Sequence, residues 1–362
     1  MKIKDLFNIK KSNTTSREFF SNNGINCIHY GDIYKNYSYK IILSSKIINK
    51  FSLNIKKEKI ICSDSLILPD VTETISDFGH ITYIKYDNFP YINGTHTFAI
   101  TPKVNAENNL KYLFYYLQSP KIKKQLQTLL LGSTVFQISK KDLENFELQN
   151  IHNKDDQQHI VDIIGSIDDK IENNQKLINK LDKILLLKFK KNYLKASKSN
   201  LTINLNSIVT LKTGKKDANA SIKNGKYPFF TCSEKESSIN VYSFDQEAIL
   251  IAGNGNMSVK YYNGKFDAYQ RTYVISSDKY FYYLYLYYKS FINDISIGAK
   301  GSVIKFLTKS LLLDINLPIL NDNLMSAFEQ NVKIVLNYVL MLEKENSKLI
   351  YLKQLYLKKF FR

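Results

Sequence analysis

From Gln157 to Lys195 the chain contains no proline and keeps one apolar rhythm. Ile160, Ile164, Ile167, Ile171, Ile178, Leu181 and Leu185 follow in alternating steps of four and three, with Asn174 where the next apolar residue is due. This is the a/d seam of a coiled coil, a period that no strand can satisfy. At 1.5 Å per residue the stretch predicts a helical rod roughly 58 Å long. A helix of that length needs a partner along its seam.

The partner expected is the C-terminal end of the same chain. An offset that carries Ile164 onto Val335 also carries later seam residues onto Tyr338, Leu342, Leu349, Leu352 and Tyr356, and places Glu345 against Asn174. The segments upstream correspond as well: LLLGSTVFQISKKDLENFELQ, with Gly132 and Ser133, parallels IGAKGSVIKFLTKSLLLDINLP, with Gly301 and Ser302. The order is therefore globular unit, long helix, globular unit, long helix. The boundaries expected are 1–150, 151–198, 199–321 and 322–362.

A chain of 362 residues with 44% hydrophobic content can bury two cores. Its formal charge of +18 exceeds what solubility requires and points to a polyanion, nucleic acid or an anionic surface. Cys27, Cys62 and Cys232 are isolated, odd in number and without metal-site spacing, which fits a reducing interior. The opening MKIKDLFNIKK has no apolar signal core, and the aromatic run Tyr280 to Tyr288 is far too short to span a membrane. A cytoplasmic protein with no membrane association is expected.

Within the first unit, short strands are expected at Asn26 to Tyr30, Ser65 to Leu68 and Thr95 to Ile100, and helix over 109–129. YKNYSYK, residues 34–40, reads as a loop exposing tyrosines and lysines, and VTETISDFGH as a polar loop. In the second unit, GKYPFF reads as turn and strand. AILIAGNGNMSVKYYNGKF reads as strand, glycine-rich loop, strand, Asn263-Gly264 turn and strand. The segment 280–292 is expected to fill a core as a helix. Each unit is an α+β domain.

Enzyme motifs fail on inspection. Gly253-Asn254-Gly255-Asn256-Met257-Ser258 lacks the third glycine of a dinucleotide fingerprint and no helix pattern follows it. Gly214-Lys215-Lys216 lacks the upstream glycine and the hydroxyl residue of a phosphate loop. Asn88-Phe89-Pro90-Tyr91 has Phe89 where an adenine methyltransferase has proline, and no cofactor loop precedes it. Pro69-Asp70 has no second acidic residue and lysine at nuclease spacing, and the five histidines do not cluster.

Basic and polar loop residues fit DNA better: cations for phosphates, amides, hydroxyls and arginine for base edges. The candidates are Lys35, Tyr37, Lys40, Thr72, Thr74, His80 and His96 in the first unit. In the second they are Lys212, Lys215, Lys216, Asn254, Asn256, Lys260, Arg271, Lys300 and Lys305. His96-Thr97-Phe98 and Arg271-Thr272-Tyr273 occupy matching places in the two repeats. For any one of these residues, an ordinary solvated surface role is as good a reading. If the two helices pair antiparallel, with Asn174 and Glu345 available to set register, they hold two DNA-reading units at a fixed separation.

The chain resembles the specificity subunit of type I restriction-modification enzymes over nearly its whole length. The resemblance rests on GSTVFQISKKDLENFELQ followed by DDQQHIVDIIGSIDDKIENNQKLINKL, and on GKYPFF followed by AILIAGNGNMSVKYYNGKFDAYQRTYVI. The family's Glu-Gln before the central helix stands here as Asp156-Gln157, and Phe328-Glu329-Gln330 retains it before the second helix. The proline after the preceding strand is absent around Gln149 and present as Pro318.

The resemblance implies an α+β fold with two tandem target-recognition domains, joined and separated by two long antiparallel coiled-coil helices in an internal pseudo-twofold duplication. It implies a non-catalytic chain that reads a bipartite duplex target. Two modification subunits would bring S-adenosylmethionine for adenine methylation, and restriction subunits would bring ATP and Mg, so this chain itself would bind no cofactor. The competing reading is a solitary DNA-binding or scaffold protein of the same architecture without methylation or cleavage.

Overall fold

Two long helices run through both halves of the molecule. The computed structural model describes residues 1–362 except 13, 14, 17, 19, 22, 53, 54, 104–108, 256 and 298–305. The chain divides into one unit formed by Met1–Asn173 with Glu345–Arg362, and a second formed by Asn174–Lys344.

The first unit is built on a five-stranded sheet. Its strands are β1 (Phe7–Lys11), β2 (Ile41–Leu43), β3 (Ser65–Pro69), β4 (Thr82–Lys85) and β5 (Thr97–Pro102). They lie in the order β1-β5-β3-β4-β2, antiparallel except for the parallel pair β2 and β4. Alternation sends Leu66 and Leu68 to one face of β3 and Ile67 to the other, and both faces are buried. The first face packs on α1 (Leu110–Gln118), where Leu110 and every residue from Tyr112 to Gln118 are buried. The helical stretch expected over 109–129 is broken at Ser119-Pro120, and α2 (Pro120–Gln127) begins there with proline in its first turn. The short helix α3 (Lys140–Asn145) follows, then α4 (Lys154–Ala196).

The second unit repeats the plan. Its strands β6 (Thr210–Thr213), β7 (Tyr227–Phe230), β8 (Phe244–Ala252), β9 (Val259–Ala268) and β10 (Thr272–Ser276) lie in the order β6-β10-β8-β9-β7, with Ser237–Ile239 added at the β7 edge. Again every pair in the shared order is antiparallel except one, β7 with β9. Ile249 and Ile251 face α5 (Phe281–Ile297), whose run Phe281 to Tyr288 is buried, while Ala248 and Leu250 face the opposite cluster. α6 (Lys309–Leu313) and α7 (Asp322–Phe360) complete the chain. Five strands with the same order and the same single parallel pair are stronger evidence of duplication than the sequence match.

Several expectations change. Asn263-Gly264 does not turn the chain: both residues lie inside β9, opposite Glu247 and Gln246, and Gly264 adopts a φ of +135° within the ladder. The 34–40 segment is not an open loop. Ile33–Tyr37 is a helical turn, Tyr37 is only 7% exposed, and its hydroxyl accepts from Ile48 N (3.1 Å). The N-terminal residues form the helical turn Ile3–Leu6 and the edge strand β1.

In the first unit the early part of α4 packs on the end of α7: Ile160, Val161 and Ile164 share a core with Leu357 and Phe361. Further along α4, Lys170 pairs with Glu345 (3.5 Å), so the partners recede along α7 as α4 advances and the two helices are antiparallel. In the second unit the late part of α4, with Leu185, Phe189 and Ala196, shares a core with Met325, Phe328, Val332 and Leu336.

Of the expected seam residues, Ile160, Ile164, Ile167, Ile178 and Leu342 are buried, and Ile171, Leu181, Val335 and Leu349 are half-buried. Leu352 and Tyr338 are 39% and 42% exposed, off the seam. The true heptads of α7 pass through Val339, Asn346 and Lys353, one position later in each case. At Lys353, a polar residue in the seam, counting only apolar residues slides the register onto Leu352. Likewise Asn346, 8% exposed, takes the buried polar place assigned to Glu345, matching Asn174 at 4%.

Candidate nucleic-acid interface

At one end of the second unit's sheet, four connecting loops are tied together by their backbones. Gly253 N donates to Arg271 O (2.8 Å), Gln270 N to Lys216 O (2.9 Å), Tyr269 N to Phe230 O (2.9 Å) and Leu307 N to Gly253 O (2.8 Å). The turns after β6, β7, β8 and β9 therefore sit side by side, carrying Lys215, Lys216, Asn254 and Arg271. Gly214 makes this approach possible, because a Cβ there would lie 1.9 Å from Ala268 O.

The first unit uses the same ties. Asp70 N donates to His96 O (3.1 Å) and Ile138 N to Asp70 O (3.0 Å), at the positions held by Gly253, Arg271 and Leu307 in the repeat. His96 is therefore the counterpart of Arg271 in backbone role as well as in sequence order. It sits at a φ of +59° with Nδ1 3.3 Å from Oδ1 of the buried Asp70, whose Oδ2 accepts from Gln137 Nε2 (3.2 Å). The edge of Tyr30 meets the His96 ring at 5.7 Å.

The sequence candidates fall into three groups. Lys35, Lys40, Thr74, His96, Lys212, Lys215 and Arg271 are exposed, and Lys216 and Asn254 are half-buried at the loop cluster. Lys40 Nζ donates to Asn36 O (2.8 Å). A second group is built into the fold. Tyr37 and Thr72 are buried, and Thr72 Oγ1 donates to Thr74 O (2.8 Å). His80 is half-buried, stacked on Tyr39 and bonded through Nδ1 to Ser38 Oγ (2.5 Å).

Lys260 also belongs to this structural group: its Nζ donates to Ser233 O and Glu234 O (2.9 Å each), pinning the loop after β7 to β9. Burial lowers its pKa, with Glu236 and Glu234 acting against that shift. The third group, Asn256, Lys300 and Lys305, lies outside the described residues.

Sequence reading passed over Lys10, Lys11, Lys59 and Lys140, which line one shallow groove with Glu58 and Asn93 in the first unit. They come from separate stretches, so only the sheet register brings them together. Among the described residues, no three His, Cys, Asp or Glu side chains converge to hold a metal ion. No described helix is long and apolar enough to cross a membrane.

The family model of the type I restriction modification DNA specificity domain matches residues 1–183 and again 184–350. The type I restriction enzyme EcoDI specificity subunit of Escherichia coli is 44% identical over 119 residues, 32% of this chain and 26% of that protein, so the match spans about a quarter of the relative. A putative type I specificity subunit of Mycoplasma genitalium is 23% identical over 307 residues, 78% of this chain and 79% of the relative. The crystal structure of a type I restriction-modification system S subunit from M. genitalium has the same fold, with a TM-score of 0.62 at 19% identity over 100% of this chain and 95% of that one. With both repeats matched in sequence and in strand order, the chain belongs to the type I restriction modification DNA specificity family.

Proposed function

We propose that each unit reads one half of a bipartite duplex target through the loops gathered at this end of its sheet. The observation that carries the reading is the repeated tie: Asp70 N to His96 O in one unit and Gly253 N to Arg271 O in the other. The same scaffold presents different side chains at the same place, as expected of two readers of different sequences. Phosphate contacts hold the chain on DNA, and the protein's +18 charge favours them.

The long helices supply position. Each belongs to both units, α4 crossing from the first into the second and α7 from the second into the first. Outside the seam, α7 exposes Ile334, Tyr338 and Met341 in the second unit and Leu352 and Leu355 in the first. This second apolar stripe suits docking of helical partners, two modification subunits that bring S-adenosylmethionine and methylate a flipped adenine. Restriction subunits using ATP and Mg join that assembly and cleave unmethylated DNA.

Sequencing of adenine methylation in cells expressing this chain, with and without its modification subunit, tests the reading. A bipartite motif that requires both proteins is the expected result. Formation of the complex without any motif would instead favour a scaffold role.

A further inference from the structure

Three basic places recur in the two units when they are compared by strand register. His96 and Arg271 each precede the strand next to the edge strand, β5 and β10. Lys10 lies opposite Ala99, the third residue of β5, and Lys212 opposite Val274, the third residue of β10. Lys140 and Lys309 each begin a short helix. The residue before each is the cap: Ser139 Oγ accepts from Asp142 N (3.1 Å) and Thr308 Oγ1 from Leu311 N (3.3 Å). One residue earlier still, Ile138 and Leu307 make the backbone ties to Asp70 and Gly253. All four lysines are exposed, and Lys10 and Lys140 line the same groove.

Around these places the units have diverged: Asp70 stands where the repeat has Gly253, and Lys11 where it has Thr213. Half-sites differ in their bases, whereas the phosphate backbone is the same beneath both. A residue that reads bases must differ between the units, and one that holds phosphate can stay the same. We infer that Lys10 with Lys140, and Lys212 with Lys309, are duplicated phosphate contacts that give both units the same sequence-independent hold on DNA, while His96 and Arg271 lie among the side chains that distinguish sequence. The inference rests on the DNA-reading function proposed above. It assigns Lys10, Lys140 and Lys309 a role that the sequence does not suggest.

The test is a salt titration of the full-length chain on mixed-sequence duplex DNA, followed by fluorescence anisotropy. The variants are K10Q/K140Q, K212Q/K309Q and all four together, with K183Q/K188Q on the exposed face of α4 as control. Each lost phosphate contact reduces the slope of log K against log salt by about 0.9, so each pair flattens it by about 1.8. The two pairs have equal effects, and Lys→Arg replacements keep the parent slope. A parent with a steep slope that either pair variant retains, or that the control flattens equally, overturns the assignment alone. A parent without salt-dependent binding overturns the DNA-reading function and this assignment together.

Discussion

Lys353 Nζ lies 2.8 Å from Oδ1 and 2.9 Å from Oδ2 of Asp168, and the Tyr115 hydroxyl donates to the same carboxylate at 3.0 Å. The three residues come from α7, α4 and α1, so one ion pair binds the coiled coil to the aromatic helix of the first unit. In the second unit Lys289 on α5 reaches Asp182 on α4 (2.5 Å) and also donates to Tyr285 OH (3.2 Å). The units solve the same junction with the lysine moved from the long helix to the aromatic one.

Removing one partner of a mostly buried pair is costly because the other charge stays behind. Lys353→Met removes the ammonium that lies over the Phe114 and Tyr115 rings and leaves the Asp168 carboxylate bonded to the Tyr115 hydroxyl without its counter-charge. A loss of about 3 kcal/mol is expected, and Asp168→Asn combined with Lys353→Met recovers most of it. Calorimetric melting of single and double variants checks this. Equal instability of both would mean the ion pair contributes nothing specific.

Lys353 also shows why the sequence was only partly legible. The heptads of α4 could be read because its seam is nearly all isoleucine and leucine. In α7 a lysine and an asparagine occupy seam places, and a rule that admits only apolar residues steps from Lys353 onto Leu352. The repeated sheet was faintly visible in His96-Thr97-Phe98 and Arg271-Thr272-Tyr273. Its loop cluster was not, because hydrogen bonds between Gly253 and Arg271, or Gln270 and Lys216, join segments far apart in the chain. Asn263-Gly264 misled for the opposite reason: a strong local turn signal was overruled by the pairing of β9 with β8 along its length.

Glu329 gives a pH prediction. Its carboxylate accepts from Tyr282 N (3.0 Å) and Tyr283 N (2.7 Å) at the start of α5, and burial raises its pKa to about 7 despite those bonds. α1 in the first unit is capped by neutral Asn109 instead. Because the folded pKa exceeds the unfolded one, the folded state binds more protons between about pH 4.5 and 7. This group's contribution to stability is therefore complete below that window and lost as pH rises through about 7. Comparing Tm of the parent with Glu329→Gln from about pH 8 to about pH 5, the parent gains on the variant as pH falls. A constant difference would exclude Glu329 as the titrating group.

Gly214 links the fold to the interface. An added methyl collides with Ala268 O at 1.9 Å and Tyr269 O at 2.5 Å, so Gly214→Ala must spread the loops that carry Lys215 and Arg271. We expect a stability loss of about 1–3 kcal/mol together with weaker duplex binding. Gly255 is the comparison: its φ is +67° and nothing lies within 4 Å of an added Cβ. Gly255→Asn, which tolerates that backbone conformation, should change stability by only about 0.5 kcal/mol. Melting and anisotropy on both variants decide the matter, and unperturbed DNA binding by Gly214→Ala would show that the tied loops do not meet DNA.

The two leucines Leu342 and Leu352 separate what holds α7 in place from what it offers to a partner. Leu342 is 3% exposed in the seam, and Leu352 is 39% exposed on the outward stripe. Leu342→Ala removes buried side-chain volume and should cost about 2–5 kcal/mol. Leu352→Ala vacates no core and should stay within about 0.5 kcal/mol of the parent. If the outward stripe is the docking face, copurification of the modification subunit at limiting concentration falls with Leu352→Ala and falls further with Tyr338→Ala added, while the free chain melts nearly as before. Undiminished copurification by the double variant would move the partner's contact off this face of α7 and leave the stripe as ordinary exposed surface.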